Sequence, residues 1–373
     1  MDMASPPTLP RRGVPAPVRW QQLASAAAEA NAFYAPDMLA PALAHLAREG
    51  EVHMIEAWSG EQLIGLLPLV LRSRHGRLPL RCVGNWMHPH CFFGAPLLLA
   101  GREQEAWALF LDQLDAAPWA RGFLHLEGID AAGPNAAAIE ATCVTQRRGW
   151  REIHRYERAM LRSDLDAEDY WTAQVRPKKR KELRRLQKRL ADMGEVETRL
   201  LDDPAALPDW CEAFLALEAA GWKGANGTAM ANRPDHANFF RDACAAALDG
   251  GRLHMLRMDL DGRAIAMLVN FRHLDGAFSF KIAIDETLGR FSPGVLIEIA
   301  NLHAVQGNPA IAWMDSCAAP DHPMIDSLWA ERRTIVQYRI ALRGRGFAGL
   351  QRRIAFAIAN QAETLARLLK GLR

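Results

Sequence analysis

The stretch that decides the fold is LHMLRMDLDGRAIAMLVNFRHLDGAFSFKIAIDE, residues 253–286. It holds three runs of apolar and β-branched residues, at 253–258, 264–272 and 277–284. The connections between these runs carry Asp-Gly, which between two apolar runs is a strong signal for a tight β-hairpin. The stretch therefore predicts three consecutive antiparallel strands.

Helical periodicity on both sides of this meander predicts the rest of the second half. We expect strands at 196–201, 311–315 and 334–340, and helices at 208–220, 235–248, 292–305 and 324–331. The first half repeats the order in reduced form: strands at 53–58, 63–72, 123–129 and 151–161, an apolar stretch at 91–99, and helices at 102–117 and 135–147. This order predicts an α/β (α+β) chain of two similar domains, each a mixed, mostly antiparallel sheet flanked by helices. Two unrelated α/β domains are the alternative.

Composition fits a globular protein of about two domains. The chain has 373 residues, of which 50% are hydrophobic and 24% charged. We expect a disordered Pro-rich leader at 1–17, an N-terminal domain at 18–161, a basic helical linker at 162–192, a C-terminal domain at 193–345 and an amphipathic helix at 346–373. No apolar run approaches the ~20 residues that span a bilayer. Six scattered cysteines without a C-x-x-C pair indicate reduced thiols, and so a cytoplasmic protein.

Positive charge is concentrated in one predicted helix, RPKKRKELRRLQKR, residues 176–189. It carries nine basic residues and one acid, while Leu183, Leu186 and Leu190 give it one apolar stripe. A solvated linker helix is the simple interpretation. Such a run exceeds what solubility needs, so we predict an anion site that includes Lys179, Arg180 and Arg184. Nucleic acid is disfavoured because the segment lacks aromatic residues for base stacking.

Three motifs in the second half occur together: EAAGWKGANGTAM at 218–230, FKIAIDE at 280–286 and SPGVL at 292–296. In this order, behind a basic run, they resemble the GNAT-type acetyltransferases of the CelD group, which is distantly similar to the Fem-type aminoacyltransferases. The resemblance covers 150–340 by motif and 20–161 by element order. It implies a tandem GNAT-like fold, with an acyl-CoA, expected to be acetyl-CoA, bound in the second half.

The resemblance also implies that the diphosphate of the donor binds at the helix following the fourth strand. Ser292 is a good N-cap, Pro293 suits the first helical position, and Gly294 allows close approach of a ligand. Free N–H groups and the helix dipole would then face the anion. With Arg290 and Val295, Ser292 and Gly294 are the predicted cofactor-binding residues. The loop has fewer glycines than the usual Gln/Arg-x-x-Gly-x-Gly/Ala pattern.

Acyl transfer to an amine or hydroxyl needs a base. Asp285 is the first candidate, followed by Glu218 and Glu286. Many GNAT enzymes carry a Tyr acid on a later helix, where this chain has Trp329. The predicted substrate-binding residues are Trp222, Lys223, Gly224, Thr228 and Lys281. By alternation along its strand, Lys281 should share a face with Ser279 and Ala283.

These observations predict an N- or O-acyltransferase acting on a polar small-molecule acceptor, such as a carbohydrate or cell-envelope precursor. The alternatives are an aminoacyl-tRNA-dependent Fem-like transferase and a non-catalytic partner in polysaccharide synthesis. No metal is expected, since His88, His90 and Cys91 lack further ligands at suitable spacing. The C-terminal helix should pack on the domain or on another subunit, with peripheral membrane contact as the alternative.

Overall fold

The structure is a computed structural model that describes residues 16–371. Residues 1–15 of the predicted leader lie outside this range, and the first helix begins at Pro17. The helices are α1 (Pro17–Ser25), α2 (Pro36–His45), α3 (Glu103–Ala116), α4 (Pro134–Thr145), α5 (Ala167–Gln174), α6 (Pro177–Ala191), α7 (Leu207–Ala220), α8 (Trp222–Ala225), α9 (Pro234–Asp249), α10 (Pro293–Gln306) and α11 (Gly346–Gly371). The strands are β1 (Val52–Ser59), β2 (Gln62–Arg72), β3 (Cys82–Asn85), β4 (Leu97–Leu98), β5 (Phe123–Asp130), β6 (Trp150–Leu161), β7 (Val196–Leu200), β8 (Leu253–Leu260), β9 (Arg263–His273), β10 (Gly276–Ile284), β11 (Trp313–Asp315) and β12 (Glu331–Ala341).

These strands form one mixed sheet in the order β1-β2-β3-β5-β12-β6-β11-β10-β9-β8-β7, with β4 beside β2. The order is nearly symmetric about the central antiparallel pair of β12 and β6. On each side of this pair lies a parallel pair, β3 with β5 and β10 with β11, and beyond it an antiparallel meander. The predicted mixed, mostly antiparallel architecture in two similar halves is confirmed.

The two halves exchange their last strands. β6 ends the first half, yet it pairs with β11 of the second half. β12 ends the second half, yet it pairs with β5 of the first half. The sheet is therefore continuous across the molecule, and each half completes the other.

A buried ionic network holds the exchanged strands together. Asp315 of β11 is fully buried and accepts hydrogen bonds from Arg158 of β6 at 2.6 Å and from Arg333 of β12 at 3.0 Å. Arg333 also contacts Asp130 at 2.8 Å and Glu29 at 3.3 Å. Two guanidinium groups are thus paired with three carboxylates near the centre of the sheet, where unpaired charges would be costly.

Two predicted elements differ in the structure. The apolar stretch 91–99 contributes only the two-residue β4, because the preceding segment 82–85, too short to stand out in the sequence, takes the place in the sheet as β3. The predicted helix 324–331 is reduced to a 3-10 turn at Ile325–Ser327, and Glu331 already begins β12. The meander, α7, α9, α10, α6 and α11 appear where the periodicity predicted them.

Candidate active site between the diverging strands

The second parallel pair opens into a cleft. β10 pairs with β11 only from Gly276 opposite Trp313 to Phe278 opposite Asp315. β10 then continues to Ile284, whereas β11 has ended. Among the residues that the structure describes, no strand pairs with the remaining edge of β10 on that side, so its backbone is available for hydrogen bonding to a ligand.

The corresponding cleft in the first half is filled by the chain itself. β3 pairs with β5 only as far as Gly84 opposite His125. The next residue, Asn85, is fully buried, and its side chain accepts from the Glu127 N–H at 3.0 Å and donates to the Glu127 carbonyl at 2.8 Å. Gly94 donates to the Gly128 carbonyl at 2.8 Å in the same region. The cleft between the diverging strands is therefore accessible to a ligand in the second half and closed in the first.

A β-bulge places Lys281 on the face opposite to the one occupied by Ser279. Ser279 pairs with Asn270 and Lys281 with Val269, so Phe280 is the extra residue. Cross-strand partners share a face. Ser279 therefore lies with Asn270 on the α10 side, and Lys281 lies with Val269 on the side of α7 and α9. The expected common face of Ser279 and Lys281 is wrong, because alternation does not survive an inserted residue.

The segment after α7 forms a turn held by Glu218. This carboxylate is buried and accepts from the Met230 N–H at 2.8 Å and from Lys223 Nζ at 3.1 Å. Lys223 Nζ also lies 3.5 Å from the Ile282 carbonyl oxygen on β10. Thr228 closes the turn by donating to the Lys223 carbonyl at 3.2 Å. Glu218, Lys223 and β10 are thus brought together at the cleft.

Gly224 and Trp222 fit the same turn in different ways. A Cβ at Gly224 would overlap the Ala219 carbonyl, so the chain needs glycine to pack this tightly. The Trp222 side chain is 58% exposed and stands free at the surface of the turn.

The two acids that follow β10 have local partners. Asp285 accepts from the Thr287 N–H at 2.9 Å and from its hydroxyl at 2.6 Å, and pairs with Arg263 at 2.7 Å. Burial alone would raise the pKa of Asp285, but these hydrogen bonds and the Arg263 charge lower it overall. Glu286 accepts from the Trp222 N–H at 2.8 Å and so anchors the turn. Both carboxylates therefore have evident roles in ordering loops.

The start of α10 offers fewer donors than the sequence predicts. Ser292 has the left-handed conformation, with φ 54° and ψ 51°, and its side chain makes no capping hydrogen bond. Its carbonyl instead accepts from Val295 at 2.9 Å and Leu296 at 3.1 Å. Pro293 has no N–H. The predicted side-chain cap by Ser292 is therefore wrong, and within residues 16–371 Gly294 carries the one first-turn N–H without a partner.

Cations lie beside this helix start. The guanidinium of Arg290 sits 4.8 Å from the Phe291 ring centroid, and that of Arg189 from α6 sits 5.7 Å from the same ring. Leu190 packs in one cluster with Leu288 and Phe291. The basic helix therefore adjoins the donor loop at its C-terminal end. Lys179, Arg180 and Arg184, the predicted anion-binding residues, lie on the same helix, with Arg184 exposed and the other two half-buried.

Two histidines near Lys281 were missed by sequence reasoning as site residues. His90 Nε2 lies 2.9 Å from His236 Nδ1, and the His90 ring stacks on Phe239 at 5.2 Å. Burial, which has the largest effect, and the charges of Lys281 and the neighbouring histidines together lower the pKa of His90 to about 2. The motif around His90 was visible in the sequence, but its partners come from α9, which is remote in the chain.

The surroundings of Lys281 change its ionisation. Its burial lowers the pKa to about 8, an effect that the nearby Glu218 opposes and the nearby Lys223 strengthens. A lysine with this pKa can exchange a proton near neutral pH, which an ordinary surface lysine does rarely. Trp329, by contrast, is buried in the core cluster beneath α6.

Other kinds of site have little support in the described part of the chain. No group of three or more His, Cys, Asp or Glu side chains between residues 16 and 371 could hold a metal ion. No helix in that range combines the length and apolarity needed to cross a membrane.

Comparison with known proteins identifies the second half. Residues 177–319 match the family model of the acetyltransferase (GNAT) domain. This span runs from α6 to just beyond β11 and includes the open cleft. This part of the chain is thus similar to the GNAT acetyltransferase domain, and the similarity supports an acyltransferase.

Solved structures share the fold over most of the chain. FemX superposes with a TM-score of 0.57 at 8% identity, covering 87% of this chain and 96% of FemX. A Bacteroides thetaiotaomicron protein of unknown function gives 0.56 at 10% identity, covering 89% of this chain and 100% of that chain. The C-terminal domain of a putative lysylphosphatidylglycerol synthetase from Agrobacterium fabrum gives 0.54 at 12% identity, covering 92% and 95%. At these identities the likeness concerns the fold alone.

A segment of the chain is also similar to curated co-chaperone HscB homologs of Burkholderia mallei and Burkholderia pseudomallei. They are 32% identical over 127 residues, which is 31% of this chain and 70% of theirs. This similarity covers under a third of the chain, whereas the fold similarity to FemX covers most of it. The co-chaperone name therefore describes those proteins and carries no argument about the cleft.

Proposed function

We propose that this protein is an acyl-CoA-dependent N- or O-acyltransferase, of the CelD-like kind within the GNAT enzymes, that works in the cytoplasm. The observation that carries the proposal is the divergence of β10 from β11, which leaves an open β10 edge inside the GNAT domain. The hydrogen bonds of Asn85 that fill the corresponding place in the first half support placing the acyl donor in the second half.

The residues around the cleft fit an acyl-CoA. Its diphosphate would be held by the Gly294 N–H at the start of α10, with Arg290 and Arg189 neutralising charge. Because only one N–H in the first turn of α10 is free of a partner among residues 16–371, side-chain cations would contribute more to binding the diphosphate than they do in a glycine-rich loop. The bound acyl-CoA supplies an activated acyl group as a thioester.

Lys281 is the proposed general base. Its lowered pKa leaves a fraction of the amine neutral at neutral pH, and that form can take a proton from the attacking amine or hydroxyl. Glu218 is the proposed positioning residue, since it holds Lys223 and the turn against β10. This assignment moves the base from Asp285, whose oxygens are already occupied by Thr287 and Arg263.

The acceptor is proposed to be a polar molecule such as a carbohydrate or cell-envelope precursor. Trp222 offers an exposed aromatic surface of the kind on which sugar rings pack, and the next residue, Lys223, holds its ammonium group at the base of the same turn, paired with Glu218.

A thermal-shift titration tests the donor. Acetyl-CoA at about 100 times its dissociation constant should add about 2.7 kcal/mol to the free energy of unfolding. Arg290→Gln should weaken this stabilisation. Arg48→Gln, which changes an exposed arginine remote from Arg290 in the sequence, serves as the matched control. If acetyl-CoA and longer acyl-CoAs leave the wild-type melting temperature unchanged, the acyl-CoA proposal fails.

Aminoacyl transfer from tRNA is a second candidate, favoured by one observation. The exposed face of α6 carries a dense row of cations next to the donor loop. In that case bulk tRNA, rather than acyl-CoA, should stabilise the protein, and the effect should fall steeply with salt. If neither acyl-CoA nor tRNA changes the melting temperature, the result favours a non-catalytic partner in polysaccharide synthesis.

We also propose that α11 contacts an anionic membrane surface. Its outer side presents a stripe of apolar side chains that are 42–73% exposed: Phe347, Leu350, Ile354, Ile358, Leu365 and Leu368. Exposed Arg345 and Arg353 flank the stripe, and this combination of charge and apolarity suits anionic lipid. Flotation with phosphatidylglycerol vesicles should be lost in Leu350→Ser/Ile354→Ser/Leu365→Ser and kept in Val144→Ser. Equal flotation of both variants, or a dimer that dissociates in the triple variant, contradicts the membrane contact.

A further inference from the structure

A cavity of about 420 Å³ lies in the first half, between α11 and the face of the sheet. Its lining comes from β2, β5, β6, β12, the loop at 73–81 and the inner side of α11. Ala359 and Ala362 leave room beneath α11. Across the sheet the lining reaches no further than β6, and β11 lies between β6 and the open edge of β10. The cavity is therefore a different place from the acyltransferase cleft.

The floor of the cavity is built from paired polar groups. Arg72 binds both oxygens of Glu127, at 2.8 and 3.2 Å, and His125 Nε2 contacts the same carboxylate at 2.9 Å. His75 Nε2 lies 2.8 Å from a guanidinium nitrogen of Arg339. Such pairing fixes the side chains in place before any ligand binds.

One floor atom points to a ligand. His125 is 3% exposed, and its Nδ1 has no hydrogen-bond partner. With Nε2 donating to Glu127, the neutral ring leaves Nδ1 as an acceptor. Burial lowers the pKa of His125, although the bond to Glu127 opposes the shift, so the neutral form is favoured. A buried acceptor left without a donor is unfavourable, and a ligand hydroxyl would satisfy it.

The rim of the cavity carries unbalanced positive charge. Arg74 and Arg77 are exposed, and within residues 16–371 no carboxylate lies within salt-bridge distance of either. The lining includes four arginines against two glutamates, and Glu127 is already occupied by Arg72 and His125. Two guanidinium groups at the mouth of a polar cavity suit a phosphate group, which they can bind in bidentate fashion.

We propose that this cavity binds a phosphorylated polyhydroxy compound, of the sugar phosphate class. Its phosphate lies between Arg74 and Arg77 at the rim, and one of its hydroxyls donates to His125 Nδ1 at the floor. The inference stands on the cavity and does not depend on the acyltransferase function. A free sugar phosphate and the headgroup of a phosphoinositide share this chemistry.

Calorimetric titration of the full chain tests the proposal with glucose 6-phosphate, glucose and inorganic phosphate. We expect glucose 6-phosphate to bind more tightly than either fragment, because it alone engages both rim and floor. Arg74→Gln/Arg77→Gln should weaken it at least ~10-fold. Arg81→Gln, an exposed arginine of the same loop that lines a neighbouring cavity, should bind as wild type.

Three outcomes would overturn the proposal. One is the absence of glucose 6-phosphate binding to the wild type. Another is loss of that binding in Arg290→Gln with retention in Arg74→Gln/Arg77→Gln, which would place the phosphate at the α10 donor loop. The third is equal affinity for inorganic phosphate and glucose 6-phosphate, which would remove the hydroxyl contact. Preferential binding to phosphatidylinositol vesicles over phosphatidylglycerol vesicles, which carry the same charge, identifies the lipid headgroup as the source if it is lost in the double variant.

Discussion

Replacing Lys281 by Met should make the protein more stable and less active. Burial holds the pKa of Lys281 at about 8, against 10.5 for the free side chain. Below pH 8 the side chain is charged in both the folded and the unfolded state, so folding carries the full cost of burying that charge. A difference of about 2.5 pKa units corresponds to roughly 3 kcal/mol, and partial solvation of the amine reduces this to about 2 kcal/mol.

The two pKa values determine how the stability difference between the wild type and Lys281→Met changes with pH. Because the folded-state pKa is the lower one, the penalty is complete below pH 8 and disappears as the pH rises from about 8 to 10.5. The stability advantage of Lys281→Met should therefore be largest at pH 7 and close to zero at pH 10.5. Met has a similar length and no charge, so it should also pack against the neighbouring Phe280 ring.

Urea unfolding of wild type and Lys281→Met at pH 7 and pH 10 measures both effects, with Lys188→Met on the exposed side of α6 as the control. Acetyl transfer, assayed in parallel, should rise with pH toward a plateau above pH 8 in the wild type and be lost in Lys281→Met. A variant less stable than wild type at pH 7, or an advantage that does not change with pH, would refute the account of Lys281 as a buried charge at a functional site.

Three further predictions concern stability. Burial raises the pKa of Glu298 to about 7, so Glu298→Gln should gain about 3 kcal/mol in urea unfolding above pH 7 and nothing near pH 4, where the carboxyl is protonated in both states. Asp315→Asn should lose about 3–5 kcal/mol, since it leaves the buried Arg158 and Arg333 without their shared carboxylate, and calorimetric melting would show it. Fragments 16–161 and 162–371 should each unfold when made separately and recover native circular dichroism when mixed, because each lacks one central strand; a folded fragment alone would contradict this.

The sequence predicts well those elements whose pattern is local. The meander at 253–284 follows from alternation and Asp-Gly turns, and α6 follows from a leucine stripe within a basic run. β3 has only four residues, which are too few to show the alternation of apolar and polar side chains that predicts a strand. The 3-10 turn near residue 325 shows the opposite error, because apolar residues at helical spacing there pack with α5 and α6 without forming a full helix.

The candidate site is harder to predict because its geometry depends on a bulge and on distant partners. Nothing in FSFKIAI indicates that Phe280 is inserted, yet that insertion alone carries Lys281 to the side of Glu218. His90 meets His236 across 146 positions of chain. The position of Asp285 at the end of the fourth strand of the half favours it as a base, whereas its hydrogen bonds to Thr287, formed within three residues, are a local feature that orders the loop.

The two clefts show how one fold pattern supports different roles. The parallel pairing ends at Gly84 opposite His125 in the first half and at Phe278 opposite Asp315 in the second. One residue beyond these ends lie Asn85 and Ser279, and two residues beyond lie Glu127 and Cys317, so the members of each pair occupy equivalent positions. The Asn85 amide is long enough to bond both backbone groups of Glu127 and so continues the sheet in place of a strand. The Ser279 side chain is shorter and lies on the α10 side, where it leaves the β10 edge open. The bulge that follows Ser279 then brings Lys281 to the opposite face of the sheet, so that one local irregularity supplies a cation beside the edge that the divergence from β11 leaves open.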